Sequence, residues 1–210
     1  MRSTLIASIL GILLAVPAAS ANASSISYLD IISSPSIGGG ALGTVELTQA
    51  NANEVGVKVT LEANTKFVYT GGPHHAFTFS LNLANPYSIA INSPSGFAVT
   101  SPSPVNTPYG IFTSGIDCPG CGPGASHAKS GPLEFSVFSI TGISISNFIA
   151  NASGYFFSAD VLGPAGGTGN IASGAITTPP SSVPLPAALP LFAAGLLGLA
   201  ANSRRKKAAT

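Results

Sequence analysis

Few side chains in this chain could do chemistry. Both of its cysteines lie in one motif, Cys118-Pro119-Gly120-Cys121. Two cysteines so close have three uses: a disulfide, half of a metal site, or a redox pair. A disulfide is the default in an oxidising compartment, and the Pro-Gly pair favours the turn that closes it. A redox pair needs a thioredoxin-like βαβ context, which is absent. A zinc site needs four ligands. His127 follows Cys121 by six residues and His74 or His75 could add a fourth ligand, but no second C-x-x-C and no H-x3–5-H pair is present. The pattern therefore assigns Cys118 and Cys121 to a disulfide, and it assigns no metal and no cofactor. The disulfide is expected to order the glycine- and proline-rich stretch 117–132 without holding the core.

His74-His75 follows Gly71-Gly72-Pro73, a turn signal. Neighbours on a strand face opposite sides, so only one of the two could enter a given site. A capping role at the turn is the simpler use. A Ser-His-Asp triad can be written from His74, Asp117 and any of many serines. No G-x-S-x-G elbow between a strand and a helix supports it. Seven acidic residues, none clustered, do not mark out a glycosidase pair. No D-x-D-x-D-G calcium loop occurs. Asn151-Ala152-Ser153 is formally a glycosylation sequon.

The elements that must position these residues read as β throughout. Period-two alternation recurs at 57–62, 77–83, 133–137 and 155–161. Weaker strands are expected at 27–32, 43–48, 97–100, 110–113 and 143–148. Each strong strand carries one apolar and one polar row, which predicts antiparallel sheets packed face to face with their polar rows in water. The expected fold is all-β: a single β-sandwich of jelly-roll or Greek-key type over 24–172. Two long irregular stretches, 101–108 and 117–132, interrupt the strands, and a Pro/Ser/Thr-rich stalk is expected at 173–182.

Both ends carry a different chemistry. Met1-Arg2, an apolar run at 5–16, Pro17 and an A-x-A site at 19–21 or 21–23 form a secretory signal peptide, 1–23. At the other end, 183–207 holds three parts in order. Val183-Pro184-Leu185-Pro186 keeps the entering chain extended. An uncharged run follows, 17 residues from Leu185 to Ala201, at the short end of the ~17–25 that span a bilayer. Pro190 would kink the run, so a regular helix is expected from about Leu191. Arg204, Arg205, Lys206 and Lys207 close it and set the cytoplasmic side. These targeting residues hold most of the positive charge. Between them three lysines face seven acids, a formal charge of minus four. Such a body excludes nucleic acid, whose phosphates require clustered Lys and Arg.

The C-terminal stretch resembles the PEP-CTERM sorting signal of Gram-negative bacteria: a V-P-x-P motif, a short transmembrane helix and a basic end. Val183, Pro184 and Pro186 match the motif, and Leu185 stands where that signal most often has Glu. The stretches VTLEANTKFVYTGGPHHAFTFSLNL and SGYFFSADVLG…TGNIASG are similar to segments found upstream of such signals. The resemblance implies processing by an exosortase, a membrane-embedded cysteine transpeptidase, with the chain held in the membrane by its C-terminal helix until it is cut. The function expected is that of an exported, non-enzymatic protein of the cell surface or extracellular matrix. The alternative is a carbohydrate-binding module acting on exopolysaccharide. Sugar stacking needs exposed rings. With no Trp and most Phe on apolar rows, Tyr87, Tyr109 and Tyr155 are the candidates.

Overall fold

A computed structural model of the protein describes residues 24–100 and 102–177. The expected signal peptide at 1–23 and the expected sorting signal at 183–207 lie outside these residues. Fifteen strands run in chain order: β1 (Ser24–Tyr28), β2 (Ile31–Ile32), β3 (Gly43–Asn51), β4 (Glu54–Leu61), β5 (Lys66–Phe67), β6 (Phe77–Leu81), β7 (Ser88–Ser93) and β8 (Ala98–Val99), then β9 (Val105–Asn106), β10 (Gly110–Ile111), β11 (Ser114–Asp117), β12 (Leu133–Phe138), β13 (Phe148–Ile149), β14 (Phe157–Leu162) and β15 (Thr168–Ser173). Every pairing is antiparallel. One sheet has the order β1-β3-β4-β12-β7. The other has the order β2-β15-β14-β6-β11-β8, with β5 added to β14 and β13 to β6. The fold is thus all-β and sandwich-like. No helix among the described residues is long and apolar enough to cross a membrane.

The first sheet obeys its alternation. Val45, Val59 and Leu133 share one register row, and Leu47, Val57 and Phe135 the next; all six are buried. The opposite face is wet: Glu46, Lys58 and Glu134 lie side by side across β3, β4 and β12. Lys58 Nζ sits 3.3 Å from Glu134 Oε1, an exposed pair that contributes little to stability.

The core is joined by phenylalanines. Phe77 and Phe79 of β6 are fully buried and face Phe135 of the first sheet, and Phe157 of β14 is fully buried beside Phe77. The Phe79 ring centroid is 5.4 Å from that of Phe135 and 5.7 Å from that of Phe148, and Phe77 stacks on Phe157 at 6.0 Å. Such pairs add to simple burial.

The second sheet departs from the expected pattern. Its polar row is not in water: Thr78, Ser80, Ser158, Asp160 and Asn170 are all buried. The proline-rich stretch expected to be an open loop folds back over this face. Its β9 pairs with β10 just beyond it as a short ribbon, and over the two together Asn106, Tyr109 and Phe112 point inward and are buried. Tyr109 and Phe112 make a small second cluster with Ala172.

Other boundaries shift for local reasons. The expected strand at 143–148 is a 3-10 turn, Ile145–Asn147, fixed by reciprocal bonds between Ser144 and Asn147, with only β13 extended beyond it. The expected strand at 27–32 breaks into β1 and β2, which join different sheets. Strands β7 and β15 are not among the expected strands, although Ile89 and Ile91 of β7 do alternate with exposed neighbours. The folded body also runs past 172. Ser173 is buried in β15, and Thr177 exchanges two backbone bonds with Ile26, both 2.9 Å, so 173–177 belong to the sheet region rather than to a stalk.

Phe79→Ala should destabilise the protein by about 3–5 kcal/mol, the range for a buried phenylalanine that leaves a cavity. Exchanging Lys58 for Ala should move stability by less than about 1 kcal/mol. Urea denaturation of both variants checks the contrast.

Candidate functional site

The polar groups that could act together gather where the second sheet parts. β14 pairs with β6 at Phe157 and Ser158, but with β5 at Val161 and Leu162. The chain between β5 and β6, including Gly71-Gly72-Pro73-His74-His75, must therefore leave the ladder and return to it. Asp160 sits at the gap. Its carbonyl accepts from the Val68 N–H at 3.1 Å, and its N–H donates to the His75 carbonyl at 3.2 Å. Its Oδ2 accepts from the Thr70 N–H at 2.9 Å and from the Thr70 hydroxyl. Asp160 itself is wholly buried. Burial pushes its carboxyl above the usual aspartate range, against the opposing pull of Thr70's two hydrogen bonds and of the His74 and His75 charges.

Asn106 clamps the returning strand. The His75 N–H donates to Asn106 Oδ1 at 2.6 Å, and Asn106 Nδ2 donates to the His75 carbonyl at 3.1 Å. The same Nδ2 lies 3.2 Å from Thr78 Oγ1 and 3.4 Å from Ser158 Oγ. One amide thus substitutes for a missing strand neighbour, satisfying the His75 backbone on both sides.

The two histidines diverge. His74 Nδ1 is 3.1 Å from Asn170 Nδ2 and accepts its proton. His75 Nδ1 is 2.7 Å from Asp117 Oδ1. An ionised Asp117 can only accept, so His75 Nδ1 carries the hydrogen and Nε2 is left for an outside partner. His75 lines a cleft of about 350 Å³ together with Gly72, Pro73, Thr100, Pro102, Ser103, Pro104 and Val105. The paper triad is corrected here: Asp117 pairs with His75, not His74. Among the described residues no serine hydroxyl is hydrogen-bonded to either ring. An oriented imidazole is present, and a nucleophile joined to it is not.

Cys118 and Cys121 lie at disulfide distance, with Cα atoms 5.2 Å apart. Both are fully buried in the main core cluster. The turn drives both sulfurs inward from the end of β11, so the pair that closes the 117–132 stretch also packs in the core. Among the described residues no three His, Cys, Asp or Glu side chains come together to hold a metal. His127 ends a 3-10 turn, Ala125–His127, packed over Gly122.

Of the three tyrosines, Tyr109 is unavailable to a sugar. It is buried, its hydroxyl donates to the Ile31 carbonyl at 2.7 Å, and its ring meets Tyr155 edge-on at 4.9 Å. Burial, with Tyr155 beside it, pushes its phenol up to about 12. Tyr87 is half-buried and lines a neighbouring cleft of about 410 Å³, with its hydroxyl bonded to Ser114. Asn151 of the formal sequon is occupied internally: its Nδ2 donates to the Tyr109 carbonyl at 2.9 Å, and its Oδ1 accepts from the Ser153 and Tyr155 N–H groups.

No protein-family model, curated protein or solved structure matches the chain.

Asn106, Asp160, Asn170 and Thr70 escaped the reading of motifs, because none stands in a recognisable spacing. One signal was present. Apart from Leu162 at the end of β14, the outer rows of β6 and β14 carry short polar side chains, Thr78, Ser80, Ser158 and Asp160, whereas the wet face of the first sheet carries Glu and Lys. Long charged side chains need solvent; short hydroxyls and carboxamides can be covered.

Asn106→Ala should lower stability by on the order of 1–3 kcal/mol for each buried group it leaves unpaired, read by chemical denaturation. For the cysteines, the paired substitution to serine should melt below the paired substitution to alanine, because serine buries two hydroxyls in an apolar cluster. Equal melting temperatures would contradict the burial of the pair.

Proposed function

We propose that the protein is an exported, non-enzymatic β-domain delivered to the cell surface or extracellular matrix, and that an exosortase cuts it at its C-terminal signal. The observation that carries this reading is the ordered triplet of Val183-Pro184-Leu185-Pro186, an uncharged apolar run and the Arg204, Arg205, Lys206, Lys207 cluster. Val183, Pro184 and Pro186 serve recognition. The apolar run holds the chain in the membrane until it is cut, and the basic cluster orients it. The body suits such a destination. It is poor in charge, its two cysteines stand at disulfide distance, and its last described pairing closes at Thr177, six residues before Val183. The crossing strand orders of the two sheets support a Greek-key or jelly-roll sandwich.

A second reading, binding of exopolysaccharide, rests on the adjoining clefts at Tyr87 and His75, which share Thr100 and Pro102. Their walls offer hydroxyls, one imidazole and one half-buried tyrosine ring. That is a thinner stacking surface than sugar-binding sandwiches usually present, so the sorting reading stands first.

Expression of the full chain in a host with an exosortase should yield a mature species whose intact mass lacks 191–207. A host without the enzyme should retain that segment. The same uncut species in both hosts rejects the sorting proposal. Retention of the secreted body on a polysaccharide column, lost on Tyr87→Ala, would favour the second reading.

A further inference from the structure

Two residues that lie opposite one another each carry a buried oxygen without a partner. Asp160 and Asn170 are a directly opposed cross-strand pair of β14 and β15, so their side chains leave the same face of the sheet at neighbouring positions. Asp160 is 0% and Asn170 1% exposed. Asp160 Oδ1 and Asn170 Oδ1 each lack a hydrogen bond, a costly state for buried acceptors.

The orientation of both groups is determined by their other contacts. Asn170 Nδ2 donates to the Thr107 carbonyl at 2.6 Å and to His74 Nδ1 at 3.1 Å. Turning the amide over would set its oxygen against that carbonyl, so Asn170 must present Oδ1 as an acceptor. On Asp160, Oδ2 already accepts from the Thr70 N–H and hydroxyl. Oδ1 is therefore the oxygen on which a proton would reside. A single proton turns two unsatisfied acceptors into one hydrogen bond.

We propose that Asp160 is held as the neutral acid and donates its proton from Oδ1 to Oδ1 of Asn170, sealing the polar layer beneath the 104–112 cover. Other titratable groups face this pair. His74 and His75 approach from the turn before β6, and the His75 ring is bound to Asp117 of β11. Tyr109 reaches in from the cover, its hydroxyl 3.3 Å from the Asn170 carbonyl. Lys66 of β5 stands beside Leu162, two residues along β14. Burial, which raises the Asp160 carboxyl, acts in the same direction as the geometry.

The sign of the pH dependence follows. A carboxyl raised in the folded state binds its proton more tightly there than in the unfolded chain. Its contribution to stability is complete below the ordinary aspartate value, ~3.9. It falls as the pH rises from there through the folded-state value. The layer is thus closed in acid and loses this contribution as the pH rises.

The test uses the full-length chain in detergent. The ¹³C signal of the Asp160 carboxyl carbon, assigned by its loss in D160N, should titrate clearly above the ordinary aspartate range. Thermal melts of wild type and D160N should run together near pH 4. They should then separate as the pH rises, with D160N the more stable, because its amide donates permanently where the acid needs a proton. Titration in the ordinary range overturns the proposal, as does a D160N protein less stable than wild type at every pH. So does a rise in wild-type melting temperature at pH 7 on adding calcium that D160N does not share, since a metal ion would then hold the two oxygens.

Discussion

A sheet buried on both faces can keep polar side chains only if each finds a partner. That constraint governs the second sheet and, through it, the whole domain. On one face β6 and β14 press phenylalanines against the first sheet. On the other, Thr78, Ser158, Asp160 and Asn170 lie beneath a returning loop. Asn106 is the residue that makes this cover possible. Its amide closes both backbone groups of His75 and reaches Thr78 and Ser158. The cover also brings its own apolar weight in Tyr109 and Phe112, so burial and hydrogen bonding are formed by the same stretch of chain.

The arrangement of histidines and acids follows from that closure. The turn before β6 has to leave the ladder because β5 and β6 share β14 as a neighbour. Asp160 fills the gap this creates, and the two histidines are carried to opposite sides of it. His75 meets Asp117 at the rim of a cleft, and His74 meets Asn170 under the cover. Each ring is oriented by one specific partner. An imidazole so fixed has a defined tautomer, which is a precondition for either binding or proton transfer, although here it also serves to order the loop.

Charge is distributed with equal economy. The first sheet exposes Glu46, Lys58 and Glu134 on one face, and the second sheet places Asp160 where water does not reach and pairs Asp117, at the end of β11, with His75. With so few ions, solubility depends on exposed Ser, Thr, Asn and Gly. The sulfur pair adds to the core rather than to the surface. Its position at the end of β11 ties the 117–132 stretch to the same cluster that holds Phe77 and Phe135.

Some of this was legible in the residues alone. The alternation of Val57, Val59 and Leu61 with Lys58 and Thr60 marks β4, and Phe77-Thr78-Phe79 marks β6, because the period of two is a local property of an extended chain. The proximity of Cys118 to Cys121 is likewise local. What alternation cannot say is what lies on the far side of a strand. Thr78 and Ser158 look the same in a sequence whether water or Asn106 stands above them, and Asn106 is 28 residues from one and 52 from the other. Strand β15 was hidden for a related reason: Gly169 has no side chain because Ile37, distant in the chain, occupies that space, 2.7 Å from where a Cβ would stand. Sequence determined the strands that carry their own apolar rows. Only the tertiary structure decided which polar rows are covered, since covering is made by segments remote along the chain and leaves no periodic mark in either partner.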